Sequence, residues 1–315
     1  MARGFKDRLT YKAVPIQVSV PASAANLGPG FDALGLALDI RDIYIAQILD
    51  EEVFDVDVTG EGADEVKRDS KHLVIKAMMR GFEFMGGKPR GIALRALNQI
   101  PHGRGLGSSA AAIVGGLNLA RGLVLSGQSL MTDDDLIALA TDLEGHPDNV
   151  AAAALGGATI SWIEDRAGVA TGCAARFSVD QTIRAILFIP NSQLATGKAR
   201  KMLPEMIPHH DAAKNAGRAA LLVHALTSRP DLLFAATEDH LHQIYRREAM
   251  PRSIDLVNKL RGAGVAAMIS GAGPSVLVLH NGTSAEHDDI VKSAGQSFTY
   301  RDIEISPSGA EISNA

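Results

Sequence analysis

The sequence has a single cysteine, Cys173, among its 315 residues. One thiol forms no internal disulfide, and there is no cysteine cluster that could hold zinc. Two uncharged stretches, residues 105–120 and 149–163, are rich in Gly and Ala and shorter than the ~20 apolar residues that cross a bilayer. The first eight residues carry several charges and no apolar core of a signal peptide. These shortages predict a protein without disulfides or membrane spans, and the cytoplasm is its expected location.

An excess of positive charge is also missing. Lys and Arg number 31 against 36 for Asp and Glu, which gives a net charge of -5. This charge has the wrong sign for binding a phosphate backbone, so we expect no nucleic-acid partner. Apolar residues make up 46% and charged residues 21%, as in globular chains. The length suggests two domains, which we place at residues 1–165 and 166–315.

Glycine is abundant, with 31 residues, and it is clustered. The first cluster, PASAANLGPGFDALG at residues 21–35, follows a predicted half-buried strand over residues 14–20. Further strands are predicted over residues 44–48, 54–58, 91–97 and 184–189. Helices are predicted over residues 71–85, 133–143, 210–226 and 253–261. The polar segment 306–315 is predicted to be a frayed tail.

The second glycine cluster, PHGRGLG at residues 101–107, leads directly into a predicted helix that starts with Ser108. Glycines free the backbone N–H groups of a loop, and a helix N-terminus adds positive potential, so together they predict a phosphate site. No Lys-Ser or Lys-Thr follows at Walker A spacing, and the dinucleotide pattern is absent. The alternative is an ordinary helix N-cap by Ser108, which would explain a serine but none of the glycines.

A third polar loop, EGHPDN at residues 144–149, follows the helix predicted over residues 133–143. The Glu144 carboxylate and a hydroxyl of Ser108 or Ser109 would suit Mg²⁺, which takes a few protein oxygens together with phosphate oxygens and water. In the alternative interpretation Asp148 and Asn149 only cap the next helix, and His146 is an ordinary loop histidine.

Four segments, PASAANLGPGFDALG, PHGRGLGSSAAA, EGHPDNVA and ISGAGPSVL, resemble the GHMP kinases in order and spacing. Within that superfamily the first and third segments are most similar to the homoserine kinase branch. The resemblance implies a two-domain α+β fold, with an N-terminal ribosomal-protein-S5-like α/β domain and a C-terminal ferredoxin-like α+β domain. ATP is expected to bind between them. The chain departs from the pattern common in the family at Ser23-Ala24, where Thr-Ser is common, and at Ala152, where Pro is common.

The resemblance also implies roles for individual residues. The expected ATP ligands are Pro101, Gly103, Arg104, Gly105, Leu106, Gly107, Ser108, Ser109, Ala110, Ala111, Gly271 and Gly273. The expected Mg²⁺ ligands are Ser109 and Glu144. The residues expected to bind homoserine are Asn26, Asp32, His146, Asp148, Asn149, Thr196, Arg200 and Arg246, with Asp32 on the ammonium group and the two arginines on the carboxylate. Asn149 and Thr196 are the expected catalytic residues.

The implied reaction is ATP-dependent phosphorylation of the L-homoserine hydroxyl, which forms O-phospho-L-homoserine for threonine synthesis. Asp148 is the nearest candidate for a general base, but direct proton transfer to the phosphate is the favoured route. Two alternatives stay open: a related kinase acting on another small alcohol, and a binding protein without turnover. The two arginines and Asp32 favour a zwitterionic substrate over a sugar. A homodimer is a further expectation.

Overall fold

A computed structural model describes residues 9–315 of the chain, apart from the side chains of residues 284 and 285. The absence of a signal peptide, predicted from the first eight residues, concerns residues outside this range. The strands are β1 (Ile16–Asn26), β2 (Gly30–Leu49), β3 (Phe54–Gly60), β4 (Gly91–Asn98), β5 (Ala158–Arg166), β6 (Val169–Phe177), β7 (Arg184–Pro190), β8 (Ala266–Ile269), β9 (Val276–His280), β10 (Phe298–Ile303) and β11 (Glu311–Asn314).

Helices connect these strands and cover the sheets. They are α1 (Leu73–Met85), α2 (Ser108–Leu123), α3 (Gly127–Leu130), α4 (Asp133–Glu144), α5 (Asp148–Leu155), α6 (Thr196–Arg200), α7 (His209–Thr227), α8 (Leu233–Ala236), α9 (Pro251–Gly262) and α10 (Ser284–Ser293). Short 3-10 helices lie at Pro230–Leu232, Ile244–Ala249 and Gly295–Ser297. No helix within residues 9–315 is both long enough and apolar enough to span a membrane.

The first sheet has seven strands and is built around the long strand β2. Its main path runs β11-β1-β2-β4-β3, and β5 pairs with the first part of β2 and with β6. All pairs are antiparallel except β3 with β4. Helices α2 and α5 lie against β1 and β2, and α1 and α4 pack on α2. The turn between β1 and β2 and the start of α2 therefore lie close together.

The second sheet has four antiparallel strands in the order β10-β7-β9-β8. Neighbouring residues of β7 point to opposite faces, as a strand requires. Ile186 and Phe188 pack with helix α9, whereas Ala185 and Leu187 join the core that continues into the first sheet. Both faces of the second sheet are therefore buried, and one of them is continuous with the core of the first unit.

Local sequence signals account for the predicted helices. All four, over residues 71–85, 133–143, 210–226 and 253–261, are observed as α1, α4, α7 and α9 with ends shifted by two residues or fewer. Helix α4 starts with a capping box, in which the Thr132 hydroxyl accepts from the Asp135 N–H and the Asp135 carboxylate accepts from the Thr132 N–H. It ends at Gly145, which has a left-handed φ of 90°.

The two sheets agree with the predicted two-domain α+β fold, and the division at residue 165 stays a prediction. That position falls inside β5, whose hairpin partner β6 belongs to the first sheet. The change from one sheet to the other comes between Phe177 and Arg184.

The predicted frayed tail is wrong. Residues 311–314 form β11, which pairs with β1 at the edge of the first sheet. Arg41 fixes the segment before this strand: its guanidinium donates to Ser306 Oγ at 2.9 Å and to the Gly309 carbonyl at 2.6 Å. The same side chain donates to the hydroxyl and the carbonyl of Ser19 on β1. The polar composition of the tail thus reflects hydrogen bonding and an exposed edge.

We expect Arg41→Met to lower the free energy of unfolding by about 2–3 kcal/mol, because four hydrogen bonds from a charged group are lost while the apolar stem is kept. Urea unfolding measures this loss. Hydrogen exchange should accelerate in β11 and not in β9, because Arg41 fixes the segment that leads into β11, whereas β9 lies in the second sheet.

Arg95→Met is the matched control, since Arg95 lies on the same sheet but is half exposed and pairs with exposed Asp55. Its loss should stay below about 1 kcal/mol. Equal losses in the two variants, or unchanged exchange in β11, would contradict the role given to Arg41.

Candidate active site

The first wall of the site is the turn between β1 and β2. Non-glycine residues adopt left-handed φ values here: 68° at Asn26, 48° at Leu27 and 55° at Asp32. The Asn26 side chain accepts from the Asp32 N–H at 3.0 Å and donates to the Gly271 carbonyl at 2.9 Å. The predicted glycine loop over residues 21–35 is therefore mostly strand, interrupted by a tight turn. The turn is held by an asparagine that reaches the second half of the chain.

The second wall is the glycine turn before α2. Gly103, Gly105 and Gly107 have φ values of 64°, 70° and 70°, where other residues are strained. A Cβ on Gly107 would collide with the Ser23 hydroxyl, and one on Gly105 with the Ser270 carbonyl. Gly107 is the N-cap of α2 and no side chain caps the helix, so the alternative of a Ser108 cap is wrong. The N–H groups of the first turn of α2 are thus free of any side-chain cap, as an anion site requires.

The third wall is the EGHPDN loop between α4 and α5. The Ser109 hydroxyl donates to Glu144 Oε2 at 2.7 Å, which joins the glycine turn to this loop. Burial raises the pKa of Glu144, although the hydrogen bond from Ser109 opposes the rise. Two oxygen donors from different helices therefore meet at the start of α2.

The same loop holds a cluster around Asp148, whose side chain is only 2% exposed. Asp148 Oδ1 lies 2.9 Å from His146 Nδ1 and accepts from the Asn149 N–H at 2.8 Å. Burial lowers the pKa of His146, but the hydrogen bond and charge of Asp148 outweigh it, and the net pKa is raised. The Ser23 hydroxyl donates to Asn149 Oδ1 at 2.9 Å. Ser23, which departs from the family pattern, is not among the predicted site residues, and no local sequence signal indicates its contact with Asn149.

The second half of the chain contributes Arg200 from α6. Its guanidinium makes a bidentate ion pair with Asp32, with N–O distances of 2.6 and 3.0 Å. The hydrogen bonds to Asp32 raise the pKa of Arg200. Two residues predicted to bind opposite ends of the substrate are therefore paired with each other. Because 168 residues separate them, their sequence context does not reveal the pair.

Arg246 lies beside this pair and is 1% exposed. Its Nη1 is 3.1 Å from His242 Nδ1 and donates to the Gly271 carbonyl at 3.4 Å. Its Nε is buried and has no partner among the described residues. The Phe31 ring lies 5.7 Å from the Arg246 guanidinium and 5.6 Å from that of Arg200, so one aromatic side chain contacts both arginines.

The loop between β8 and β9 closes the site from the second half. The Ser270 hydroxyl donates to the Gly105 carbonyl at 2.8 Å, and the Gly271 N–H donates to the Ala25 carbonyl at 3.1 Å. The glycine turn and the turn between β1 and β2 are therefore both tied to this loop.

One cleft collects most of the predicted residues. Its walls include Asn26, Asp32, Gly103, Gly105, Leu106, Gly107, Ser108, Ser109, Glu144, His146, Asp148, Asn149, Thr196, Arg200, Arg246 and Gly271. Phe31, Leu194 and Ala272 also line it and are not among the predicted site residues.

Five of the residues predicted to bind ATP lie outside the walls of this cleft: Pro101, Arg104, Ala110, Ala111 and Gly273. The Arg104 guanidinium turns toward the second half and donates to the Pro190 and Asn191 carbonyls at 3.0 Å. Ala110 and Ala111 belong to α2 and are fully buried in the core. The individual ligand roles of the residues in and around the cleft stay predictions.

Comparison with known proteins agrees with this geometry. The family model for the GHMP kinases N terminal domain matches residues 71–157, and the model for GHMP kinases C terminal matches residues 212–296. The homoserine kinase of Streptomyces coelicolor is 47% identical over 302 residues, which cover 96% of this chain and 96% of that protein. The homoserine kinase of Mycobacterium tuberculosis is 45% identical, with 91% of this chain and 90% of that protein covered.

A solved structure gives the same result at the level of the fold. The crystal structure of homoserine kinase from Cytophaga hutchinsonii superposes with a TM-score of 0.80 at 25% identity, covering 96% of this chain and 98% of that chain. The predicted fold class and family are confirmed. The chain belongs to the homoserine kinase family of the GHMP kinases.

Proposed function

We infer that this chain is an ATP-dependent kinase that phosphorylates the side-chain hydroxyl of L-homoserine and forms O-phospho-L-homoserine for threonine synthesis. The observation that carries this inference is the content of the cleft. An uncapped helix start preceded by a glycine turn faces a cluster of two arginines and a carboxylate. The first feature suits the phosphates of ATP and the second suits a zwitterionic amino acid. The homodimer and the cytoplasmic location stay predictions.

The phosphate side of the cleft needs little beyond the backbone. Phosphoryl transfer through a loose transition state depends on alignment and on stabilising charge at the phosphate oxygens. Gly107 leaves the first N–H groups of α2 without a side-chain cap, and the rigid turn before it is fixed by contacts with Ser23 and Ser270. These donors are in place before substrate binds, so no reorganisation is required in the transition state.

The two arginines on the amino-acid side of the cleft differ in their partners. Arg246 makes no ion pair with a carboxylate within residues 9–315, whereas Arg200 is already paired with Asp32. We propose that Arg246 provides the main contact to the substrate carboxylate. Arg200 and Asp32 then receive the carboxylate and the ammonium group on either side of their own ion pair, so that each charge of the zwitterion lies beside an opposite charge.

Ser109 and Glu144 fit a magnesium ion. Both offer oxygen atoms, they lie 2.7 Å apart at the phosphate end of the cleft, and the carboxylate is partly desolvated. When bound, Mg²⁺ would neutralise charge on the phosphate oxygens.

The hydroxyl of the substrate needs orientation more than it needs a base. One carboxylate oxygen of Asp148 is already occupied by His146 and by the Asn149 backbone. Asn149 is held by Ser23 on its other side, and Thr196 lines the same cleft. We propose that Asn149 and Thr196 orient the homoserine hydroxyl, and that its proton passes to a phosphoryl oxygen as the new P–O bond forms.

The direct test is a coupled ADP-release assay over homoserine, serine, threonine, mevalonate and galactose. We expect homoserine to give the highest kcat/KM, with O-phosphohomoserine as the product. The Asn149→Ala variant is the control for contaminating activity. Preferred turnover of mevalonate or galactose would favour a related kinase, and binding without turnover of any acceptor would favour a non-catalytic member.

We expect Arg246→Lys to raise the KM for homoserine by about tenfold or more, because lysine keeps the charge but loses the fork. The KM for ATP should stay unchanged. Arg200→Lys should have a smaller effect, since Arg200 is already paired with Asp32. Steady-state kinetics with each substrate varied in turn checks this order. A larger effect on ATP than on homoserine would assign Arg246 to the nucleotide.

We expect Ser109→Ala and Glu144→Gln to raise the Mg²⁺ concentration that gives half-maximal activity and to lower kcat, because the first removes an oxygen ligand and the second removes the negative charge of the other ligand. Ser108→Ala is the matched control: it changes the neighbouring hydroxyl in the same helix turn. Titration of Mg²⁺ at fixed ATP distinguishes the loss of a metal ligand from a general effect of altering this helix turn. Wild-type Mg²⁺ dependence in both site variants would remove these residues from the metal site.

We expect Asp148→Asn to lower kcat without changing the shape of the pH-rate profile, because an orienting group does not have to accept the proton. Asn149→Ala should lower kcat by a similar factor at every pH, since an amide does not titrate. If Asp148→Asn lost about 10²-fold or more in kcat and also lost the acidic limb of the profile, Asp148 would be the general base.

A further inference from the structure

His242 is the feature that the proposed mechanism leaves unused. It is completely buried, at the place where the second half of the chain contacts the turn between β1 and β2. Its Nε2 is 2.9 Å from the Gly28 carbonyl, and its Nδ1 is 3.1 Å from Arg246 Nη1. The imidazole therefore bridges the turn between β1 and β2 to the arginine proposed to bind the substrate carboxylate.

The two partners determine where the proton of the imidazole lies. A guanidinium only donates hydrogen bonds and a carbonyl only accepts them. His242 Nδ1 must therefore present a lone pair to Arg246, and Nε2 must carry the hydrogen that is donated to Gly28. Only the neutral Nε2–H tautomer satisfies both contacts.

The surroundings of His242 favour this neutral form. Burial lowers the pKa of His242, the negative charge of Asp239 opposes this, and the positive charge of Arg246 adds to it. Asp239 Oδ1 lies 3.4 Å from His242 Nε2, but the Asp239 carboxylate also accepts the backbone N–H groups of residues 241–243. Asp32 is the remaining carboxylate whose charge acts on the ring. The net effect is an uncharged imidazole beside a charged guanidinium.

The orientation of Arg246 depends on this acceptor. Without His242 Nδ1, the only hydrogen bond left to Arg246 Nη1 within residues 9–315 is the longer one of 3.4 Å to the Gly271 carbonyl. The Phe31 ring supports the guanidinium but contacts Arg200 in the same way, so it does not fix the rotation of the Arg246 fork. With Nη1 held by His242, the rest of the Arg246 guanidinium, which lines the cleft, is left for a ligand.

We propose that His242 is a positioning residue for substrate recognition: as the neutral Nε2–H tautomer it accepts from Arg246 Nη1 and sets the rotation of the guanidinium that this arginine presents to the carboxylate of the amino acid. This inference rests on the proposed homoserine kinase function. It assigns to His242 a role in substrate affinity and none in the chemical step.

Two conservative variants distinguish a role of His242 as a hydrogen-bond acceptor from a role in packing alone. His242→Asn places a carbonyl oxygen near the position of Nδ1 and can still accept from Arg246. His242→Gln places its polar group near the position of Nε2, so it can keep the Gly28 contact but not the one to Arg246. Both variants are neutral and polar, and a purely structural role would make them similarly defective.

We expect His242→Gln to raise the KM for homoserine about tenfold or more, as loss of a hydrogen bond to a charged group does, with kcat and the KM for ATP within about twofold of wild type. His242→Asn should stay within about threefold of wild type in all three constants. Steady-state kinetics measures them, and thermal melting checks that each variant is folded. Equal loss in the two variants, or a loss confined to kcat, would overturn the proposal.

A double-mutant cycle tests whether the effect runs through Arg246. In an Arg246→Lys background, His242→Gln should cause little additional loss in kcat/KM for homoserine. Full additivity of the two losses would mean that His242 acts independently, and would overturn the inference. Wild-type protein without any homoserine-dependent ADP release would instead refute the proposed function, so the two failures are distinguishable.

The wild-type protein provides a test that needs no folded variant. Nitrogen NMR of ¹⁵N-histidine-labelled protein reports which ring nitrogen carries the hydrogen. We expect the Nε2–H tautomer at His242 and a shift of its Nδ1 resonance when homoserine is added. A proton on Nδ1, or a doubly protonated ring at neutral pH, would overturn the proposal.

Discussion

The site depends on a close backbone contact between the glycine turn and the loop after β8. Gly105 has no Cβ, and a side chain there would occupy the place of the Ser270 carbonyl. The Ser270 hydroxyl donates to the Gly105 carbonyl and stabilises this contact. The Asn26 side chain donates to the Gly271 carbonyl, and the Gly271 N–H donates to the Ala25 carbonyl. Three distant segments thus meet through main-chain atoms, and this junction determines the positions of the side chains around it. Such a contact tolerates substitution poorly because no flexible group can move aside.

Charge balance is the second constraint. Arg200 and Arg246 approach the same Phe31 ring, and burial, together with the like charge of Arg200, lowers the pKa of Arg246. Asp32 compensates one guanidinium by a bidentate pair, and the neutral imidazole of His242 adds no further charge. Within residues 9–315 the cleft therefore has one guanidinium without a paired carboxylate, and this is the place that we propose for the carboxylate of the substrate.

The sequence predicted what local signals encode. The helical pattern over residues 133–143 and the glycine cluster before Ser108 belong to short segments, so α4 and the glycine turn were found close to their observed positions. Contacts between distant segments were not predictable. The pairing of Arg200 with Asp32, the return of β11 to β1 and the turning of Arg104 toward Pro190 each depend on the tertiary fold, because composition and periodicity describe only neighbours along the chain.

The pairing of β11 with β1 has a consequence for the edge of the first sheet. Strand β1 obtains its outer neighbour from residues 311–314, far along the chain. Without that neighbour, the edge of β1 at residues 16–19 would present unpaired backbone groups beside the rest of the sheet. A variant cut before residue 311 would therefore keep its cleft residues but leave an open edge to which another strand can add.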